Sequence, residues 1–252
     1  MIEPKRDTPQ PARRTIRILS YNVHSCVGTD RQLDPGRVAD VIAELSPEII
    51  GLQELDVGRK RSGGIDQAEA IAKRIRMDVH FHPALQIKEE RYGDALLTAL
   101  PMRLVKAGPI TSIGEPRGAL WADIETEAGA LQVLNTHLGL LRRERQRQVN
   151  ELCGQDWLAH PDARNRPTVL IGDFNSIPSS PAYRTLLTRL EDARQQMGRL
   201  PAPTFPSRWP LLRLDHVFVS GGPKILSVEA IRTPIARRAS DHLPLLAVVE
   251  LS

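Results

Sequence analysis

GALWADIETEAGALQVLNTH, residues 118–137, is two apolar runs around a short polar turn, TEAG, that contains a glycine. So short a link suits an antiparallel hairpin and leaves no room for a crossover. The segment after it, RRERQRQVNELCGQDWL (142–158), reads as a helix and leads into TVLIGDFN (168–175), an apolar strand running into a polar loop. A hairpin followed by helix and strand argues against a purely parallel sheet and for a mixed one.

Working toward the N-terminus, IRILSYN (16–22), EIIGLQE (48–54) and DALLTAL (94–100) read as buried strands. LDPGRVADVIAELSP (33–47) reads as a helix with Asp34 as N-cap, Pro35 in the first turn and Val38, Val41, Ile42 and Leu45 on one face. QAEAIAKRI (67–75) is a second helix, capped by Asp66. Toward the C-terminus come a short helix PAYRTLLTRL (181–190), a Pro-rich loop, and the strands DHVFVS (215–220), ILSVEAI (225–231) and PLLAVVEL (244–251). About ten strands and four helices that mix hairpins with crossovers predict an α/β (α+β) fold, two mixed β-sheets face to face under outer helices. Residues 1–14 hold mixed charge, prolines and no apolar period, so they are expected to form a disordered arm before one domain over 15–252.

The hydrophobic share of 41% suits a buried core. No apolar run approaches the ~18 to 20 residues that cross a bilayer, and the first residues lack a secretory core, so a cytoplasmic protein is expected. The two cysteines, Cys26 and Cys153, lack zinc-site spacing and are expected to be reduced, Cys153 buried. A net charge of +4 favours an anionic partner without singling out nucleic acid.

The polar residues that need an explanation stand at the ends of apolar strands: Asn22, Glu54, His137, Asp173, Asn175, Asp215 and the triplet Ser240, Asp241, His242. Any one of them is an ordinary turn residue. Strand ends that share one edge of a sandwich can converge on a cleft, however. Glu54 directly follows IIGLQ, where a carboxylate costs several kcal/mol unless a cation or protons compensate it. Hard cations take one or two carboxylates plus water and phosphate oxygens, which suits Glu54 with Asp241.

SYNVH (20–24), LQE (52–54), NTHL (135–138), GDFN (172–175), LDHVFV (214–219) and SDHLPL (240–245) resemble, in the family's order, the endonuclease/exonuclease/phosphatase superfamily. The resemblance covers about residues 16 to 251. It implies a deoxyribonuclease I-like four-layer sandwich and a hydrolase that cleaves a phosphodiester by metal-assisted in-line attack of water. Mg²⁺ or Mn²⁺ is the implied cofactor, with Glu54 the principal ligand and Asp241 a further one. Asp173 would orient or deprotonate the water, while Asn22 and Asn175 position water, metal or a phosphate oxygen. His242, held by Asp215, would stabilise charge at the phosphorus, and His137 would grip the same phosphate. Arg117 also matches a family position, as an anion contact or a brace.

Two departures stand out. Asp94 replaces an asparagine common among relatives, and a carboxylate there could pair with His137 or an arginine. His24 stands where the exonuclease III branch has an acidic ligand, which points toward the deoxyribonuclease and sphingomyelinase-like side. The loop TFPSRWPLLRLD (204–215) leads into Asp215, so Trp209 is expected at the cleft mouth as a substrate contact. Large apolar groups beside arginines suit a lipid-like phosphate ester or a stacked base. The expected partner is a phosphate ester, lipid-like or a small diester, with peripheral membrane contact open. The alternatives are a weakly specific DNA endonuclease and a non-catalytic phosphate-binding scaffold.

Overall fold

The computed structural model describes residues 14–198 and 202–251. Of the expected arm, residues 1–13 lie outside this range and Arg14 already opens a strand.

The first sheet contains β1 (Arg14–Asn22), β2 (Ile49–Val57), β3 (Asp78–Ile87), β4 (Glu90–Thr98), β11 (Lys224–Ala230) and β12 (Leu245–Leu251), in the order β11-β12-β1-β2-β4-β3. The second contains β5 (Met102–Ile110), β6 (Arg117–Thr126), β7 (Gly129–His137), β8 (Thr168–Asp173), β9 (Glu191–Asp192) and β10 (Asp215–Ser220), in the order β5-β6-β7-β8-β10-β9. Both are mixed. The β1–β2 and β7–β8 pairs are parallel and bridged by helices, and the rest are antiparallel.

Apolar faces dictate the layering. Ile18, Leu120, Ile171, Val217 and Val249 fill the space between the sheets. The outer face of the first sheet is covered by α1 (Pro35–Leu45), α2 (Gln67–Ile75) and α6 (Pro234–Ala239), through Val38, Ile42, Ile71 and Ala236. α3 (Arg142–Leu152) and α4 (Pro181–Leu186) cover the second sheet through Val149, Leu152 and Tyr183. A short helix, α5 (Ala193–Gln196), completes the set, and the result is the expected four-layer sandwich.

Asp34 and Asp66 cap their helices as expected, each accepting the amide three residues on. The described residues hold twelve strands and six α-helices rather than about ten and four. β3 and β5 escaped the sequence reading because both are edge strands, half exposed, with Pro83 and Pro109 inside them. The third helix stops at Leu152 instead of reaching residue 158, and the chain turns back at Gly154. Both cysteines are free and buried.

Candidate active site

The C-terminal ends of β1, β2, β7 and β8 and the N-terminal ends of β6 and β10 lie along one edge of the sandwich. This register brings most of the singled-out polar residues to one cleft of about 650 Å³, lined by Glu54, His137, Asp173, Asn175, Asp241 and His242 among others.

Glu54 reaches the cleft through a bulge. The β2–β4 register shifts between Leu52 and Leu55, and Glu54 at φ 62 takes up a left-handed conformation that a non-glycine residue seldom adopts. His24, Ser25, Cys26 and Asn175 also have positive φ, so backbone strain gathers around the site. Below it, Asn135 crosses between the sheets, donating to the carbonyls of Leu52 and Ala95 and accepting from Gln53. In GDFN, Gly172 has φ +149, and a Cβ there would lie 1.9 Å from the Thr136 carbonyl oxygen, so no side chain fits.

One oxygen, Asp173 Oδ2, is the hub. Asn22 Nδ2 donates to it at 3.0 Å and to Glu54 Oε1 at 3.0 Å, which ties the two carboxylates together across the sheets. His137 Nε2 stands 3.4 Å and His242 Nε2 3.6 Å from the same oxygen. The other oxygen, Oδ1, accepts the Asn175 amide at 2.8 Å. Burial pushes the Asp173 carboxyl up, His242 pulls it down, and Asp215 adds to the rise. Burial likewise raises Glu54, and the Asp173 and Asp241 charges add to it against the Asn22 hydrogen bond.

His242 sits between two carboxylates. Its Nδ1 is 2.9 Å from Asp215 Oδ2, which also accepts from the Thr204 hydroxyl. Burial alone would lower this imidazole, yet Asp215 and Asp173 together raise it to about 10, so it is cationic at neutral pH. His137 behaves oppositely. Burial, then Arg117 and His242, hold it well below the usual histidine range, so it is neutral. Asn175 Nδ2 donates to the Leu138 carbonyl at 2.9 Å and stands 3.1 Å from His137 Nε2.

Ser240 Oγ donates to the Asn22 carbonyl and accepts the His242 amide, tying the SDH triplet to β1. Asp241 is partly exposed at the cleft wall, with His24 Nδ1 4.0 Å away. Arg117 is 6% exposed, held by the Tyr92 hydroxyl at 3.4 Å and Glu115 at 2.5 Å. Asp94 accepts the Glu54 amide at 3.3 Å instead of pairing with His137 or an arginine, and burial pushes it up to about 7. Trp209 is 79% exposed and does not line the cleft, whereas its loop neighbours Phe205 and Leu214 do.

Sequence reading passed over Thr204, Asn135 and Tyr92, and also Arg61, which lines the cleft and grips Asp56 with two nitrogens, each at 2.7 Å. Asn135 lies in NTHL and Thr204 opens TFPSRWPLLRLD, and these placements were the available signals.

Asp173, Asp215 and His242 are all buried and offer one ligand atom each within 4.8 Å of one another, a cluster able to coordinate a divalent metal. The donors are hard oxygens and an imidazole, with no thiolate, as such an ion prefers.

Comparison with known proteins agrees with this geometry. The profile of the Endonuclease/Exonuclease/phosphatase family matches residues 19–242. The chain is 26% identical over 255 residues to "Uncharacterized protein YbhP" of Escherichia coli (strain K12), covering 96% of this chain and 99% of that protein. It is 25% identical over 173 residues to "Exodeoxyribonuclease III" of Haemophilus influenzae, covering 65% of this chain and 59% of that one. The crystal structure of the endonuclease/exonuclease/phosphatase from Bacteroides vulgatus superposes with a TM-score of 0.77 at 20% identity, over 95% of this chain and all of the other. These similarities carry the family and its fold, and no sphingomyelinase-like branch within it.

Proposed function

The chain belongs to the endonuclease/exonuclease/phosphatase family, and on that premise we propose that it hydrolyses a phosphodiester by in-line attack of water with a divalent metal, Mg²⁺ or Mn²⁺. The observation that carries the reading is the convergence of Asn22, His137 and His242 on one buried Asp173 oxygen, with Glu54 tied in through Asn22.

The Asp173 and Asp241 charges raise the proton affinity of Glu54, and a divalent cation relieves such crowding. The donors therefore fit a hard metal, with Glu54 and the half-open Asp241 as the proposed ligands. Asp173, Asp215 and His242 form a second candidate set, but His242 Nδ1 and Asp215 Oδ2 are already engaged with each other. When bound, the ion would supply positive charge to the phosphate and leaving oxygens.

The chain's own groups do the rest. Asp173 orients the water through Oδ2 and accepts its proton as the new P–O bond forms and the old one breaks. Cationic His242, held by Asp215, faces the growing negative charge on the equatorial oxygens. Neutral His137 lines the cleft beside the Asn175 amide and would grip the same phosphate from another side. Arg117 is a brace for the cleft wall through Tyr92 and Glu115.

For the substrate, the similarity to an exodeoxyribonuclease III favours the nuclease alternative over the small or lipid-like diester. The experiment that separates them incubates the protein with bis-p-nitrophenyl phosphate, p-nitrophenyl phosphorylcholine and supercoiled plasmid, each with Mg²⁺, Mn²⁺ or EDTA, beside Glu54→Ala. Metal-dependent nicking lost in Glu54→Ala supports the nuclease. Diester cleavage without nicking supports the small substrate, and no turnover on any of them overturns the hydrolase reading in favour of a scaffold.

A further inference from the structure

Twelve large apolar side chains are conspicuously exposed among the described residues, and their distribution is lopsided. All but Leu104 and Leu226 stand on loops or strand ends at the edge of the sandwich that carries the cleft. The most exposed are Leu211 at 80%, Trp209 at 79% and Leu140 at 71%, with Leu141 and Ile113 just over half exposed. Scattered single apolar residues need no explanation, but a collar of them around one opening does.

The collar is built rather than loose. Residues 204–212 close on themselves: Phe205 and Leu212 exchange backbone hydrogen bonds of 3.0 and 2.8 Å, and the Leu211 amide donates to the Phe205 carbonyl at 2.9 Å. Arg237 reaches in to the carbonyls of Ser207 and Arg208. The tip backbone is therefore fixed while Trp209 and Leu211 point into solvent, so ordering them costs little on contact. Cations flank the anchors. Leu140 and Leu141 run straight into Arg142 and Arg143, all exposed, and exposed Arg208 precedes Trp209.

Indole and leucine side chains that insert below a ring of guanidinium groups match the chemistry of a bilayer surface, apolar beneath and anionic above. We propose that this edge docks on an anionic phospholipid bilayer, with the cleft facing the headgroups. None of the described helices is long and apolar enough to cross a membrane, so the contact is a peripheral one. The docking surface rests on the hydrolase reading, weighs toward the lipid-like diester against the nuclease that the exodeoxyribonuclease III similarity favours, and is tested without turnover, so the two fail separately.

Trp121 and Trp157 are buried, so among the three tryptophans Trp209 alone reports on the collar. The full-length protein in EDTA is mixed with large unilamellar vesicles of phosphatidylcholine alone or with phosphatidylglycerol, and sedimentation and tryptophan emission are read. The proposal expects co-sedimentation with the mixed vesicles, weakened in high salt, a blue-shifted emission, and quenching by lipids brominated near the headgroup. Leu141→Ser with Leu211→Ser should weaken vesicle binding at least about tenfold, since each removes an apolar side chain that the bilayer would bury. The same double variant should retain wild-type hydrolysis of bis-p-nitrophenyl phosphate. Absence of vesicle binding, an unmoved emission, or equal binding by the double variant overturns it. Binding of duplex DNA that the double variant loses, with vesicles ignored, assigns the edge to nucleic acid instead.

Discussion

Asp173 and Asp192 are both buried carboxylates on the second sheet, each about 1% exposed, and the fold treats them in opposite ways. Asp192 is saturated. Arg213 Nη2 donates to both of its oxygens at 2.7 Å, the Tyr183 hydroxyl donates at 2.6 Å, and the amides of Arg194 and Gln195 complete the set. Burial alone would raise its proton affinity, but the nearby His216 ring, Arg213 and Tyr183 hold it well below the usual carboxylate range. His216 Nδ1 stands 3.6 Å from Asp192 Oδ2. Asp173 receives only amide donors from Asn22 and Asn175, with two imidazoles standing off at 3.4 and 3.6 Å, and its affinity for a proton is raised. A carboxylate that the protein satisfies is structural, whereas one that it leaves short of positive charge is waiting for a ligand.

The largest expected effect is on turnover. Asp173→Asn keeps the shape and the Asn175 contact but removes the proton acceptor, so diester hydrolysis should fall by roughly 10²- to 10⁴-fold. The melting temperature should change little, because removing an under-compensated buried charge offsets the loss of the Asn22 hydrogen bond, which an amide NH2 cannot accept. Asp192→Ala should reverse that pattern. It leaves the buried Arg213 without its partner, so denaturant unfolding should report a loss of about 3–5 kcal/mol, while hydrolysis per folded molecule stays near wild type. If Asp192→Ala lost turnover without losing stability, the contrast between the two carboxylates would be broken.

The acid limb sharpens the same contrast. With its folded pKa depressed, Asp192 contributes stability that is present above its unfolded value of about 3.9 and is lost as the pH falls toward the folded value. Unfolding of the wild type measured from pH 6 downward should therefore steepen below about pH 4, more so than in an Arg213→Met protein.

A metal should favour one region only. Saturating Mn²⁺ or Mg²⁺ at about a hundredfold over Kd adds roughly 2.7 kcal/mol to a protein that binds it when folded. Thermal melts should show that gain in the wild type and in a folded Asp192 variant, and lose it in Glu54→Gln. A gain retained by Glu54→Gln and lost in Asp215→Asn would move the ion to the Asp173, Asp215 and His242 set.

The sequence made the site more legible than the fold's edges, for a physical reason. Glu54, Asp173, Asp215 and His242 end apolar runs, where neither core packing nor solvation accounts for them, so their chemistry could be inferred from one strand at a time. The sandwich followed from the hairpin and crossovers in the same way. What stayed hidden depends on long-range contacts: Asn135 acts on carbonyls of Leu52 and Ala95 in the other sheet, and Thr204 on Asp215 across a loop. The bulge that turns Glu54 inward has no marker in LQE, because glutamate rarely takes a positive φ. β3 and β5 lack clean alternation because their side chains are half exposed on both faces.

Asp94 stands between the two cases. It accepts one amide, from Glu54, and burial raises it to about 7 even with Arg117 nearby. An asparagine oxygen can accept the same N–H, so Asp94→Asn should leave stability unchanged near pH 4, where the carboxyl is protonated in the folded state. The unfolded carboxyl ionises near 3.9 and the folded one only near 7, so the wild type loses stability across that interval and the variant does not. By pH 8 the variant should be the more stable of the two, read from denaturant midpoints at the two pH values. A variant less stable than wild type at pH 8 would mean that the ionised carboxylate has a compensating cation, which would set Asp94 beside Asp192 rather than beside Asp173.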